Sequence, residues 1–229
     1  MIECNPFPAW IIVGGQRRLG RAVAEDLGRD HSLHLTSSKP WHSSDWAAGH
    51  RTLNWDAEDP GLVPRMETDL AGLTFDGAVI VAGSFPAAPL GSWQPQDLTR
   101  TWAVNLSFPL LVVQALAGRM KEGACLQLVL DACIHRPYQK RLPYSAAKSA
   151  LAGLVPGFAK ALAPKIRVVG HAIGTLLPAA GMDADALARQ GLLGRTGSPA
   201  DLIRAIRFAA ESPFMTGEIL TQDGGRRWT

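Results

Sequence analysis

Asp131, Tyr144 and Lys148 are the residues whose types and spacing point most directly to chemistry. Tyr144 and Lys148 stand four apart in Tyr-Ser-Ala-Ala-Lys, which puts a phenol and an ammonium on one face of a helix. An isolated phenol titrates near pH ~10, and an adjacent cation favours its ionised form. The expected result is a proton donor and acceptor usable near neutrality. Asp131, thirteen residues before Tyr144, closes the apolar run Leu126-Gln127-Leu128-Val129-Leu130 and adds a second proton site at a strand end. Two residue types at one spacing recur by chance, so the surrounding elements decide whether they form a site.

Those elements begin at the N-terminus. Ala9-Trp10-Ile11-Ile12-Val13 reads as a buried strand, and it runs into Gly14-Gly15-Gln16-Arg17-Arg18-Leu19-Gly20 before a helical pattern through Ala22, Val23 and Leu27. Strand, glycine turn and helix form a dinucleotide-binding arrangement. Glycines let the backbone approach a pyrophosphate, and the helix N-terminus offers it free N–H groups. Gly14, Gln16, Arg17, Arg18, Leu19 and Gly20 are therefore candidate cofactor contacts.

Further strands are expected over 32–36, 51–54, 77–82, 126–130, 166–169 and 218–221. Helices are expected over 96–120, from about Tyr144, and over 199–210, with Pro156 either kinking or interrupting the Tyr144 helix. Alternating strands and helices predict an α/β fold, a doubly wound parallel sheet covered on both faces, in one domain spanning 1–229. Ligands bind such sheets beyond the carboxyl ends of the strands, where Gly14, Phe85 and Asp131 all fall.

The end of the second strand bears on cofactor choice. An acid there would bind the ribose of NAD, but the chain reads Thr36-Ser37-Ser38-Lys39. Hydroxyls and a cation suit the 2′-phosphate of NADP, with Arg17 assisting. Composition narrows the partners. A net charge of +3, with scattered Arg and Lys, gives no nucleic-acid stripe. Cys4, Cys125 and Cys133 at uneven spacing suggest reduced thiols in a cytoplasmic protein. No metal-ligand pattern, leader or membrane-length apolar run is read.

With these residues the chain resembles the short-chain dehydrogenase/reductase family over its whole length. Gly14 and Gly20 match the outer glycines of the family turn, and Val81-Ala82-Gly83 stands where Asn-Ala-Gly is usual. Asn105 matches the family's helix asparagine. Arg195, Gly197 and Pro199, then Thr216-Gly217 and Asp223-Gly224-Gly225, fit its C-terminal signature, although Ile173-Gly174 replaces the usual Pro-Gly. Three departures point to a branch: Arg18 replaces the middle glycine, Asp131 replaces the usual serine, and Phe85 follows the fourth strand. In these the chain is similar to pteridine reductases and bacterial dihydromonapterin/dihydrofolate reductases.

That resemblance implies NADPH, with Ala82, Gly83 and Gly174 among its contacts, and a pterin between Phe85 and the nicotinamide. It implies that Asp131 and Tyr144 are candidates to deliver the proton, that Lys148 lowers the tyrosine pKa, and that Asn105 completes the catalytic set. Arg18 would bridge cofactor phosphate and pterin. Asp56 matches the family's adenine-contacting acid or caps the Pro60 segment. Two apolar stripes, one through Leu106, Leu110, Val113 and Ala117 and one through Ala147, Leu151, Leu154, Phe158 and Leu162, suggest a partner interface. The family pairs these helices into a homotetramer, and in the branch Arg226-Arg227-Trp228-Thr229 would reach a neighbouring subunit's pterin site. The alternatives are an NADPH carbonyl reductase acting on a ketone or 3-oxoacyl thioester, and a non-catalytic NADP-binding sensor.

Overall fold

The structure is a computed structural model that describes residues 7–41, 46–47, 49–178 and 181–229. Cys4 lies outside the described residues. Seven strands, β1 (Ala9–Val13), β2 (Ser32–Ser37), β3 (Arg51–Asn54), β4 (Phe75–Ile80), β5 (Met120–Asp131), β6 (Ile166–Ile173) and β7 (Ile219–Gln222), form one sheet in the order β3-β2-β1-β4-β5-β6-β7. Every pairing is parallel. The chain winds outward from β1 to β3, then crosses back to lay β4 on β1's other side. The β1/β4 junction is thus the switch point, where loops leave in opposite directions and open a crevice.

Side-chain alternation along β1 builds the two cores. Ile11 and Val13 pack with Val112 and Leu116 of α4 (Phe108–Ala117) and with Leu151 and Val155 of α5 (Leu142–Leu162). Trp10 and Ile12 face the other way, against Val23 and Leu27 of α1 (Arg18–Leu27) and Leu202 and Ile206 of α7 (Pro199–Glu211). The order of elements is thus the expected α/β one, with short helices α2 (Leu62–Asp69) and α6 (Ala184–Ala188) added and α3 (Pro95–Trp102) leading into α4.

Two local expectations need correction, and a third is narrowed. The helix expected over 96–120 is α3, a π-helical turn (Ala103–Ser107) and α4, ending before Met120. Met120 instead opens β5, fully buried and paired with Phe75 of β4. Its apolar side chain continues the helical stripe in sequence but fills the sheet in space. Pro156 neither breaks nor ends α5, which runs unbroken through it. The proline faces solvent on the helix's outer side.

Candidate active site

At the carboxyl end of β1 the backbone closes to its limit. Gly14 has φ +85°, and a Cβ there would sit 3.1 Å from the Ala82 nitrogen. A Cβ on Gly20 would come within 2.1 Å of the Gly14 carbonyl oxygen. Neither position has room for a side chain, so α1 starts directly under the turn. Arg17 at its N-cap makes no side-chain capping bond. A glycine cradle under a helix start without a side-chain cap fits the pyrophosphate of a dinucleotide.

The flank of this cradle is set by β2. The Thr36 hydroxyl accepts from the Gly14 N–H at 3.2 Å. Ser37 is buried, and its hydroxyl donates to Gln16 Oε1 at 2.6 Å while accepting from the Lys39 N–H at 3.0 Å. Gln16 in turn donates to the Pro40 carbonyl at 3.0 Å. Of the hydroxyl-and-cation group, Ser38 and Lys39 face solvent together with Arg17, whereas Ser37 and Gln16 brace each other. Asp56 is half-buried beyond β3 and accepts from the Glu58 N–H at 3.1 Å, so it shapes its own turn. Arg18 takes a positive φ of 50°, and its guanidinium donates to the carbonyls of Leu177 (2.7 Å) and Pro178 (3.4 Å). Its side chain links the turn to the segment beyond β6. There Gly174 packs so tightly that a Cβ would meet the Asp223 Cα at 2.8 Å.

The second cluster forms where β5 ends. Asp131 leaves the strand as the N-cap of a short 3-10 turn (Ala132–Ile134), its Oδ1 accepting from the Cys133 N–H at 2.7 Å. Its Oδ2 accepts from the Tyr144 hydroxyl at 2.9 Å. Phe85 comes from the loop after β4, held by the Ala88 N–H donating to the Lys140 carbonyl at 2.8 Å. Its ring stands edge-on to Tyr144 with centroids 4.8 Å apart, and the Arg141 guanidinium lies 3.9 Å from the Phe85 centroid. Phe85 remains 41% exposed, leaving much of its surface available.

Asn105 and Lys148 sit deeper. The π-helical turn carries Asn105 inward, where its amide donates to the Thr101 carbonyl (2.9 Å) and the Ser84 hydroxyl (3.1 Å), and accepts from the Ser84 N–H (3.2 Å). Wide turns of this kind recur at functional sites. A Cβ on Gly83 would lie 3.2 Å from Asn105 Oδ1 and 3.6 Å from Lys148 Nζ, so these three converge on one small volume. Lys148 Nζ donates to the Val129 carbonyl at 3.2 Å.

The expected acidification of Tyr144 by Lys148 is overturned. Burial, and then the Asp131 carboxylate, hold the Tyr144 phenol well above the ordinary tyrosine range. Burial also pulls the Lys148 ammonium down, against the pull of Asp131. Burial comes first and the bonded carboxylate second, while the Lys148 ammonium turns toward a backbone carbonyl. The phenol hydroxyl is thus directed at the Asp131 carboxylate. Within its own chain, Arg226 donates to the Tyr138 hydroxyl at 2.9 Å. Tyr138 was not anticipated as a site residue. Its hydroxyl donates to Asp131 Oδ1 at 3.1 Å. A usable signal existed, because Tyr138 and Tyr144 are the only two tyrosines and both follow Asp131 closely.

Comparison with known proteins agrees with this geometry. A sequence profile described as enoyl-(acyl carrier protein) reductase matches residues 45–227. This chain belongs to the short-chain dehydrogenase/reductase family. Among short-chain reductase relatives, carbonyl reductase family member 4 of Danio rerio is 29% identical over 227 residues, covering 94% of this chain and 96% of its own. A short-chain dehydrogenase family protein of Francisella tularensis superposes with TM-score 0.87 at 18% identity, over 97% of this chain and 100% of that one, and shows the fold alone. A blue fluorescent protein from a metagenomic library, solved in complex with NADPH, gives TM-score 0.84 at 26% identity, over 96% and 97% of the two chains. As a short-chain dehydrogenase/reductase, the protein is an oxidoreductase that uses a nicotinamide cofactor. Among the described residues, no helix is long and apolar enough to cross a membrane.

Proposed function

We propose that this protein is an NADPH-dependent reductase of a C=N bond in a flat heterocycle, of the dihydropterin class (dihydromonapterin-, dihydrobiopterin- or dihydrofolate-like). The observation that carries the reading is the Asp131 carboxylate bonded to the Tyr144 hydroxyl at 2.9 Å, beside the exposed Phe85 ring. Carbonyl reduction builds negative charge on oxygen, which a neighbouring carboxylate opposes. The same carboxylate favours the protonated form of a C=N bond, which is the electrophilic form that accepts hydride. Phe85 supplies a face for ring stacking, worth roughly 0.5–1.5 kcal/mol beyond burial.

When bound, NADPH supplies the hydride. Gly14, Gln16, Arg17, Leu19 and Gly20 would hold its pyrophosphate, Ser38 and Lys39 with Ser37 its 2′-phosphate, Asp56 its adenine, and Ala82, Gly83 and Gly174 line its path. Tyr144 keeps its proton through neutral pH and delivers it to the substrate nitrogen. Asp131 orients that phenol and favours cationic character in the ring. Lys148 and Asn105 fix the inner wall at Gly83, and Phe85 and Arg18 bound the substrate side.

A second reading is reduction of a ketone or 3-oxoacyl thioester, which the relative named carbonyl reductase favours. There Tyr144 would serve the carbonyl oxygen. NADPH oxidation measured in parallel with dihydromonapterin, dihydrobiopterin, dihydrofolate and an acetoacetyl thioester separates the two. Turnover of the thioester alone would defeat the pterin reading. No turnover of any of them, with NADPH still bound, would favour a sensor. We further infer one cytoplasmic reductase domain over 1–229, assembled as a homotetramer through the outer faces of α4 and α5, where Leu154 stays exposed. A monomeric, fully active species in light scattering would overturn that assembly.

A further inference from the structure

The Asp131 carboxylate is held from three directions, and one of them leads to the chain's C-terminal turn. Tyr144 donates to Oδ2, while the Cys133 N–H and the Tyr138 hydroxyl donate to Oδ1. The Tyr138 hydroxyl itself accepts from Arg226 Nη1 at 2.9 Å, and the Arg226 guanidinium lies 4.6 Å from the Tyr138 ring centroid. Arg226 opens a 3-10 turn (Arg226–Trp228) that is fastened on both sides. Asp223 Oδ2 accepts from the Arg227 N–H at 2.9 Å, and Arg136 donates to the Arg226 carbonyl at 3.3 Å and to Thr229 Oγ1 at 2.7 Å. The other end of the loop is fixed too, since the Tyr138 N–H donates to Ser145 Oγ at 3.1 Å, one residue from Tyr144.

A phenol that only filled space would need neither partner. Here the single O–H donor and an oxygen lone pair of Tyr138 are both engaged, one with a carboxylate and one with a guanidinium. The consequence falls on Asp131. The terminal torsion of an aspartate is broad, so a carboxylate held at one oxygen can swing. The Cys133 N–H on Oδ1 and Tyr144 on Oδ2 already span it, and the Tyr138 hydroxyl adds a second donor on Oδ1 that holds its plane from the side of the C-terminal turn.

We propose that Tyr138 is a positioning residue that sets the Asp131 carboxylate against Tyr144, with Arg226 as its anchor, so that the C-terminal turn belongs to the active site of its own subunit. The proposal rests on the reading of Asp131 and Tyr144 as the proton site. It predicts two linked losses. Tyr138→Phe keeps the ring and removes the hydroxyl, so turnover falls about tenfold, the scale of a hydrogen bond to a charged group, while the Kd for NADPH stays unchanged. Arg226→Met lowers turnover in the same direction by less. In an Asp131→Asn background, Tyr138→Phe has no further effect, because it acts through that carboxylate.

The decisive experiment needs no substrate. With only two tyrosines in the chain, [ζ-13C]tyrosine labelling of the intact protein gives two resonances, assigned by Tyr138→Phe. Burial and the Asp131 charge raise the titration of both phenols, so Asp131→Asn should bring both down, and Arg226→Met should move the Tyr138 resonance at neutral pH. A Tyr138 resonance that ignores both changes would overturn the proposal. So would a Tyr144 resonance indifferent to Tyr138→Phe, or native turnover in that variant. If the native protein reduces none of the substrates tested, the functional reading fails while the resonances still decide the role of Tyr138.

Discussion

The β1–β2 end of the sheet and the β5–β6 end are built on opposite principles. At the first, the candidate cofactor cradle is made by backbone held so close that side chains are excluded, as at Gly14 and Gly20. At the second, polar side chains hold one another: half-buried Asp131 with buried Tyr144 and half-buried Tyr138, and buried His171 with buried Gln127 at 2.7 Å. A close backbone tolerates no added atom, whereas a polar cluster tolerates added bulk better than a lost partner. The two ends should therefore break differently.

The largest effect is expected at the polar end. Tyr144→Phe removes the proton donor and should lower kcat by roughly two to four orders of magnitude, with NADPH affinity nearly unchanged. Retention of native kcat on every accepted substrate would mean that the proton comes from elsewhere.

His171 tests the same end through stability. Its ring is fully buried and burial pushes its pKa down to about 4, against 6.5 for an ordinary histidine. The unfolded chain therefore takes up a proton that the folded chain refuses. Stability from this group is complete above pH 6.5 and is lost as pH falls toward 4, by up to about 3 kcal/mol. Urea unfolding at several pH values should show that loss, and His171→Asn should flatten it relative to the native chain. An unchanged acid slope in the variant would remove His171 from the account.

Gly20→Ala tests the close-backbone end. The added methyl meets the Gly14 carbonyl, so a destabilisation of about 1–3 kcal/mol is expected, together with weaker NADPH binding. Denaturation and cofactor fluorescence titration would check both. An alanine variant that binds NADPH natively would show that the turn has slack.

The smallest effect is expected at Lys39, exposed at the rim of the cradle. Lys39→Asp places an anion where the 2′-phosphate is proposed to lie and should cost about tenfold in the NADPH-to-NADH preference, the scale of one exposed to half-buried charge contact. Equal kcat/KM for both cofactors in the native protein would remove the premise.

Much of this molecule could be read along the chain. Gly14, Gly20, Asp131, Tyr144 and Lys148 lie on local patterns, a glycine turn between strand and helix and an i, i+4 pair, and local geometry follows from local sequence. The alternation of apolar runs carried the parallel sheet for the same reason. Three features could not be read that way. The split of the 96–120 helix and the start of β5 at Met120 depend on which apolar side chain fills the sheet, and burial is a property of the assembled core. The electrostatic sense of Tyr144 depended on its burial and then on Asp131, thirteen residues away, which bonds the phenol, while Lys148, four residues away, bonds a carbonyl instead. Tyr138 and Arg226 meet across 88 residues. Sequence spacing sets contacts only within a turn of helix or a strand pair; beyond that, the sheet order chooses the neighbours, and those neighbours set the charge that each buried group feels.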